Sequence, residues 1–230
     1  MQIWNWSGFF DYLTNKYILW GAFTTLWLTV FAITAGLALG FLVAMMRLSR
    51  SRLLRMPAGF YVWLFRGTPL LVQLIVIYTG LPQLGIKLTV VESALIGLAL
   101  NEAAYLAEIV RAGILAVPHG QTEAAQSLGM NRAKIMHLVI LPQALRIIIP
   151  PLGNSVNGLL KTTSVTSVIS MEELLRRTQV LIQERFMVLE LFAVAALYYL
   201  AMTTAWDFIQ RRIERRFGRA YVQAGITDQR

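Results

Sequence analysis

Cysteine is absent from the 230-residue sequence, so neither a disulfide framework nor a thiolate metal site is available. Histidine is nearly absent too. His119 and His137 cannot by themselves complete a zinc shell. Charge is scarce: Asp, Glu, Lys and Arg make up 14% of residues, where an ordinary soluble domain carries roughly a quarter. Glycine-rich runs ending in Lys-Ser or Lys-Thr, which cradle nucleotide phosphates, do not occur. If ATP drives this protein, another chain hydrolyses it. No paired carboxylates, histidine cluster or nucleophile–base set can be placed, which argues against a membrane enzyme. The sequence also lacks internal repeats and low-complexity tracts.

What is abundant is apolar. Hydrophobic residues form 57% of the chain, mean hydropathy is +0.58, and they fall in long uncharged blocks. The first runs from Tyr17 to Met46 without a charge, longer than the ~20 helical residues that cross a hydrocarbon core. Its arginines follow it, unlike the basic start of a cleaved signal peptide. Uninterrupted runs without barrel alternation mean helices. The expectation is an all-α, multi-pass bundle of about five spans, near 17–46, 57–84, 92–114, 138–160 and 187–209, in a single transmembrane domain.

The net charge of +9 is explained by position. Arg47, Arg50, Arg52 and Arg55 follow the first block, and Arg211, Arg212, Arg215, Arg216 and Arg219 follow the last. Basic residues at span ends give orientation, here N-terminus outside and C-terminus cytoplasmic. No basic, aromatic-interleaved surface exists apart from span ends, so nucleic acid is excluded as a partner. The partner is a bilayer. Trp4, Trp6, Trp20, Tyr61 and Trp63 suit interfacial anchoring.

Between the third and fourth runs, 117–137, lies a polar, helix-forming stretch. Pro118 suits a first helical turn, Gly129 a left-handed C-terminal stop, and Asn131 an N-cap for a second helix. Glu123-Ala124-Ala125, three residues, Gly129, nine residues, then Val139-Ile140-Leu141-Pro142 closely resembles the EAA loop of ABC importer permeases. Val139 departs mildly from the usual Ile. Phe65 to Gln73, Ala103 to Arg111, Leu141 to Ala144, Pro151 to Asn154 and Lys161 to Ser164 resemble the polar amino acid branch of that family. The likeness runs from about Gly36 to Arg212.

The resemblance implies a type I permease subunit that moves a polar amino acid by alternating access. Glu123, Ala124, Ala125 and Gly129 would couple it to an ATPase through a docked helix. It further implies a second permease subunit, identical or paralogous, two ATPase subunits, an extracytoplasmic amino acid-binding protein and a bacterial inner membrane. ATP and Mg would sit on the ATPase, and the chain would need no cofactor of its own.

Ionisable groups within spans cost ~2.5–3.5 kcal/mol on insertion scales and usually face a cavity or a partner. Glu102, near the centre of the third run with Asn101 and Tyr105 close by, could hold an ammonium or a cationic side chain. A structural pair with Arg66 or Lys161 is the alternative. The resembling branch carries small or hydroxyl residues there, so Glu102 leans the substrate toward a basic one. Asn154, Asn157 and Lys161 on a proline-opened fourth span, and Gln73 on the second, complete the candidate substrate-binding set; interhelical bonding is open for the amides. Glu108 and Arg111 form a local pair. Arg66, Gly67 and Pro69 mark a bend, with no substrate role assigned. An ion-gradient-driven carrier or channel with Glu102 as coupling site is the rival reading, and it has no use for a docking loop.

Overall fold

Gly36 and Gly40 bring the two central helices together. In the computed structural model, which describes residues 4–225 and their side chains through 217, all described elements are helical. They are α1 (Trp6–Leu13), α2 (Lys16–Leu48), α3 (Arg52–Gly67), α4 (Leu70–Ile75), α5 (Val90–Leu115), α6 (His119–Ser127), α7 (Arg132–Lys134), α8 (Leu141–Thr162), α9 (Leu174–Arg185) and α10 (Val188–Gly225). A π-helical turn, Val76–Gly80, extends α4, and another, Ile135–Ile140, joins α7 to α8. Four elements are long and apolar enough to cross a membrane: Lys16–Leu48, Val90–Leu115, Arg132–Ile169 and Val188–Phe217. The fifth is α3 with α4, bent by 105°. The expected all-α bundle of about five spans is therefore what the chain forms.

The second run differs from an unbroken helix for a local reason. Pro69 has no N–H to donate and pushes the preceding residue out of the helical region. Thr68 is accordingly extended, at φ −120° and ψ 145°. The fourth run differs the other way. It was expected to open at its prolines, yet α8 continues through Pro150 and Pro151. The residues four back, Arg146 and Ile147, are exposed, so no carbonyl is stranded in the core. α10 braces the same turn, with Trp206 Nε1 donating to the Gly153 carbonyl at 2.8 Å.

Small residues let backbones approach where lipid supplies no hydrophobic drive between helices. A Cβ on Gly36 would lie 3.2 Å from the Glu102 Cβ, and one on Gly40 2.8 Å from the Ala103 oxygen. Both numbers rise together along α2 and α5, so these helices run parallel. Gly113 meets Ala144 and Ile148, and Asn157 meets Asp207, so α8 is antiparallel to α5 and to α10. The C-terminal ends of α2, α5 and α10 therefore share one end of the bundle with α6 and α7. That end carries Arg47, Arg50, Arg111, Arg132, Lys134, Arg211, Arg212, Arg215 and Arg216; the Arg219 side chain lies outside the described residues.

At the opposite end, Glu173 is buried and caps α9. It accepts from the Leu175 and Arg176 backbone N–H groups at 3.0 and 2.8 Å and from the Tyr199 hydroxyl at 2.9 Å. Large apolar side chains such as Phe23, Val30, Leu42, Trp63 and Leu200 point outward, the pattern of a lipid-facing surface.

Candidate functional site

The break between α3 and α4 leaves backbone carbonyls without helical partners, and two of the candidate residues satisfy them. Gln73 Nε2 donates to the Phe65 carbonyl at 2.9 Å, the Thr68 carbonyl at 3.1 Å and the Thr68 hydroxyl at 2.9 Å. Asn101 Nδ2, from α5, donates to Gln73 Oε1 at 3.0 Å and to the Phe65 carbonyl at 3.3 Å. Both amides are thus occupied in holding the bend against α5.

Glu102 is 8% exposed, closed in by Gly36 of α2 and beside Ser155 of α8. Its Oε1 has no hydrogen-bond partner. Tyr105, one turn on, is instead exposed. Asn157 Nδ2 donates to Asp207 Oδ1 of α10 at 2.6 Å, and Asn154 Oδ1 accepts from Gln210 at 3.2 Å. Lys161 is exposed on the same stripe of α8. Apart from the exposed Tyr105, the candidates therefore form three groups: a stapled bend, an enclosed carboxylate and, on one stripe of α8, the α8–α10 seam with Lys161 at its end. None of them lines the two large grooves, of about 390 and 670 Å³, which are walled by apolar side chains of α2, α8 and either α10 or α5.

A cluster unforeseen in full gathers beside Tyr105. Glu108 forms the expected pair with Arg111, with Nη2 at 3.0 Å from Oε2, and also pairs with Arg47 of α2. Arg66, at the end of α3, stands 3.9 Å from Glu108 Oε2 and 5.3 Å from the Tyr105 ring centroid. The pattern Arg66-Gly67-Thr68-Pro69 located the bend; spacing alone could not reveal that three arginines from three helices share one carboxylate.

The 117–137 loop folds as helix, corner, helix. Pro118 stands at the N-cap of α6, one residue ahead of the first turn. Gly129 has φ +74°, a conformation cheap only for glycine. Met130 N–H reaches back to the Ala125 carbonyl at 3.1 Å and Gly129 N–H to Gln126 at 2.9 Å, closing a Schellman stop. Asn131 caps α7 by accepting from Lys134 N–H at 3.0 Å. Glu123 and Ala124 face outward. Ala125 does not: it is 4% exposed and packs with Val117, Ile135 and Ile140. Leu128, 81% exposed, supplies the outward apolar surface instead.

Residues 36–219 match the family of binding-protein-dependent transport system inner membrane components. The chain belongs to that family. The resemblance to ABC importer permeases thus holds over most of this permease. It is 39% identical to the arginine transport system permease protein ArgU of Corynebacterium glutamicum, over 94% of the permease and 73% of the relative. It is 40% identical to the putative glutamine transport system permease protein GlnP of Rickettsia bellii, over 90% and 98% respectively. A crystal structure of an amino acid ABC transporter with histidines superposes with a TM-score of 0.88 at 38% identity, covering 94% of the permease and all of that chain. The permease is a multi-pass membrane protein, and its family supplies the membrane part of systems that also contain a binding protein.

Proposed function

We propose that this permease carries a polar amino acid, with a basic one favoured, inward across a bacterial inner membrane by alternating access. Its N-terminus lies outside and its C-terminus in the cytoplasm, because the basic end of the bundle faces the cytoplasm under the positive-inside rule. Two ATPase subunits dock on the cytoplasmic face, supply ATP and Mg, and meet Glu123, Ala124 and Leu128 on the outward side of α6. A second permease subunit and an extracytoplasmic binding protein complete the assembly.

The α6–Gly129–α7 corner carries this reading. It is an ordered polar helix with an outward Glu123 and an exposed Leu128, terminated by a rigid stop. A carrier driven by an ion gradient through Glu102 has no use for such a handle. The amino acid class is supported by the relatives' names, and the basic lean by the enclosed Glu102 carboxylate with its unpartnered oxygen. Asn101 and Gln73 act in this scheme by holding the bend beside the path, and Tyr105, Asn154, Asn157 and Lys161 by lining its polar stretches.

The test is uptake of labelled L-arginine and L-glutamine by proteoliposomes. Uptake should require ATP, the ATPase subunits and the binding protein together. Full uptake by the permease alone, driven by a proton or sodium gradient, would refute the proposal.

A further inference from the structure

Arg66 is a cation left over. Glu108 presents two carboxylate oxygens, and both are already engaged: Oε1 by Arg47 and by Arg111 Nε at 3.2 Å, Oε2 by Arg111 Nη2 at 3.0 Å. Arg66 comes no closer than 3.9 Å, makes no hydrogen bond among the described residues, and has the most exposed side chain of the three, at 43%. Its guanidinium lies by the Tyr105 ring. Three cations around one anion leave about two charges uncompensated, in a setting where charge is costly.

Depth narrows which anions it can meet. Tyr105 stands ten residues before the Leu115 end of α5, about 15 Å along the axis at ~1.5 Å per residue. α5, at 26 residues about 39 Å long, outruns a ~30 Å hydrocarbon core, so Arg66 lies just inside the basic end of the bundle, where a solute carboxylate and a snorkelled-to headgroup phosphate are both in reach. The backbone that presents Arg66 is fixed, because Gln73 and Asn101 hold the Phe65 carbonyl next to it. The side chain is loosely held on a rigid mount.

We propose that Arg66 is a carboxylate-binding residue on the solute path, its guanidinium fork taking the α-carboxylate of the passing amino acid in exchange for the long contact with Glu108. The fork suits planar, bidentate carboxylate recognition. Glu108, at 3.9 Å, competes for the same donors and limits residence. This inference rests on the amino acid reading above and adds the group that reads the solute's acid end.

Equilibrium binding to the purified permease–ATPase complex, without binding protein, tests it. L-Arginine is compared with L-argininamide, and L-glutamine with its α-amide. The wild type should prefer the acid by about tenfold or more, the scale of a charge-assisted hydrogen-bond pair. Arg66→Gln should bring that preference within about twofold, and Arg66→Lys should leave an intermediate value. Arg55→Gln, at the exposed start of α3, should match the wild type. Full preference in R66Q, or in R66K should R66Q not assemble, overturns the proposal, as does a wild type with no preference in either pair. Loss of co-purifying anionic phospholipid from R66Q with the preference intact assigns Arg66 to a headgroup and overturns it as well. ATP-dependent uptake by the complete wild-type system is measured separately; its absence would count against the transport reading rather than against Arg66.

Discussion

Adding one methyl group at Gly40 tests the seam on which the bundle is built. In Gly40→Ala the new Cβ would sit 2.8 Å from the Ala103 oxygen and 3.1 Å from both the Ala107 nitrogen and the Leu106 Cβ. Carbon and carbonyl oxygen normally approach to about 3.3–3.6 Å, so α2 and α5 must separate by roughly 0.5 Å. The nearest atoms are backbone and cannot swing aside. Overpacking of this kind costs about 1–3 kcal/mol, against which Ala recovers up to about 1 kcal/mol of helix propensity over Gly. Gly59→Ala on α3 is the control, since nothing lies within 4 Å of its added Cβ, and it should gain the propensity term alone. At roughly 2–4 °C per kcal/mol for a chain of this size, G40A should melt several degrees below wild type and G59A slightly above. Thermal unfolding of the purified permease in detergent, followed by tryptophan fluorescence, reads both. Equal shifts of the same sign would show that propensity rather than close approach governs the seam.

Three further outcomes follow from the same geometry. Asn101→Ala leaves Gln73 Oε1 without its donor and the Phe65 carbonyl held by Gln73 alone and should destabilise the empty permease by about 1–3 kcal/mol; an unchanged melting temperature would deny it the staple. Gly129→Ala meets no steric neighbour but must hold φ +74°, costing about 1–2 kcal/mol; ATP-dependent uptake should fall more than stability does, and equal losses in both would refute a coupling role. Burial raises the pKa of Glu173 despite the backbone donors of Leu175 and Arg176 and the hydroxyls of Tyr199 and Thr25. The folded state therefore holds its proton where the unfolded chain releases it, so stability falls as pH rises from about 4.3 through the raised value. Glu173→Gln should reduce that slope in melting temperatures measured across the window, and an undiminished slope would assign it to other groups.

The helical class was legible because long uncharged runs have one physical solution in lipid, and the α6 corner because Gly129 and Asn131 are local signals. The bend at Thr68 was legible too, since Pro69 acts on its immediate neighbour. Pro150 and Pro151 misled, because a proline removes a donor without deciding whether the freed carbonyl is trapped; that depends on Arg146 and Ile147 being exposed. Long-range pairings carried no local signature. Nothing near Gln73 announces the Phe65 carbonyl and Asn101 together, and nothing near Asn157 announces Asp207, fifty positions away. Ala125, which the resemblance counted among the docking residues, is turned inward by the helical phase.

The stapled bend also sets terms for changing what the permease accepts. Gln73 and Asn101 are the polar residues an engineer would first alter to change selectivity, yet each alteration would loosen the mount of Arg66 before it touched a solute. Lys161, exposed and without a partner among the described residues, can be varied without that penalty. A selectivity campaign would therefore do best to treat the bend and the α8–α10 seam as fixed scaffolding and to randomise Lys161.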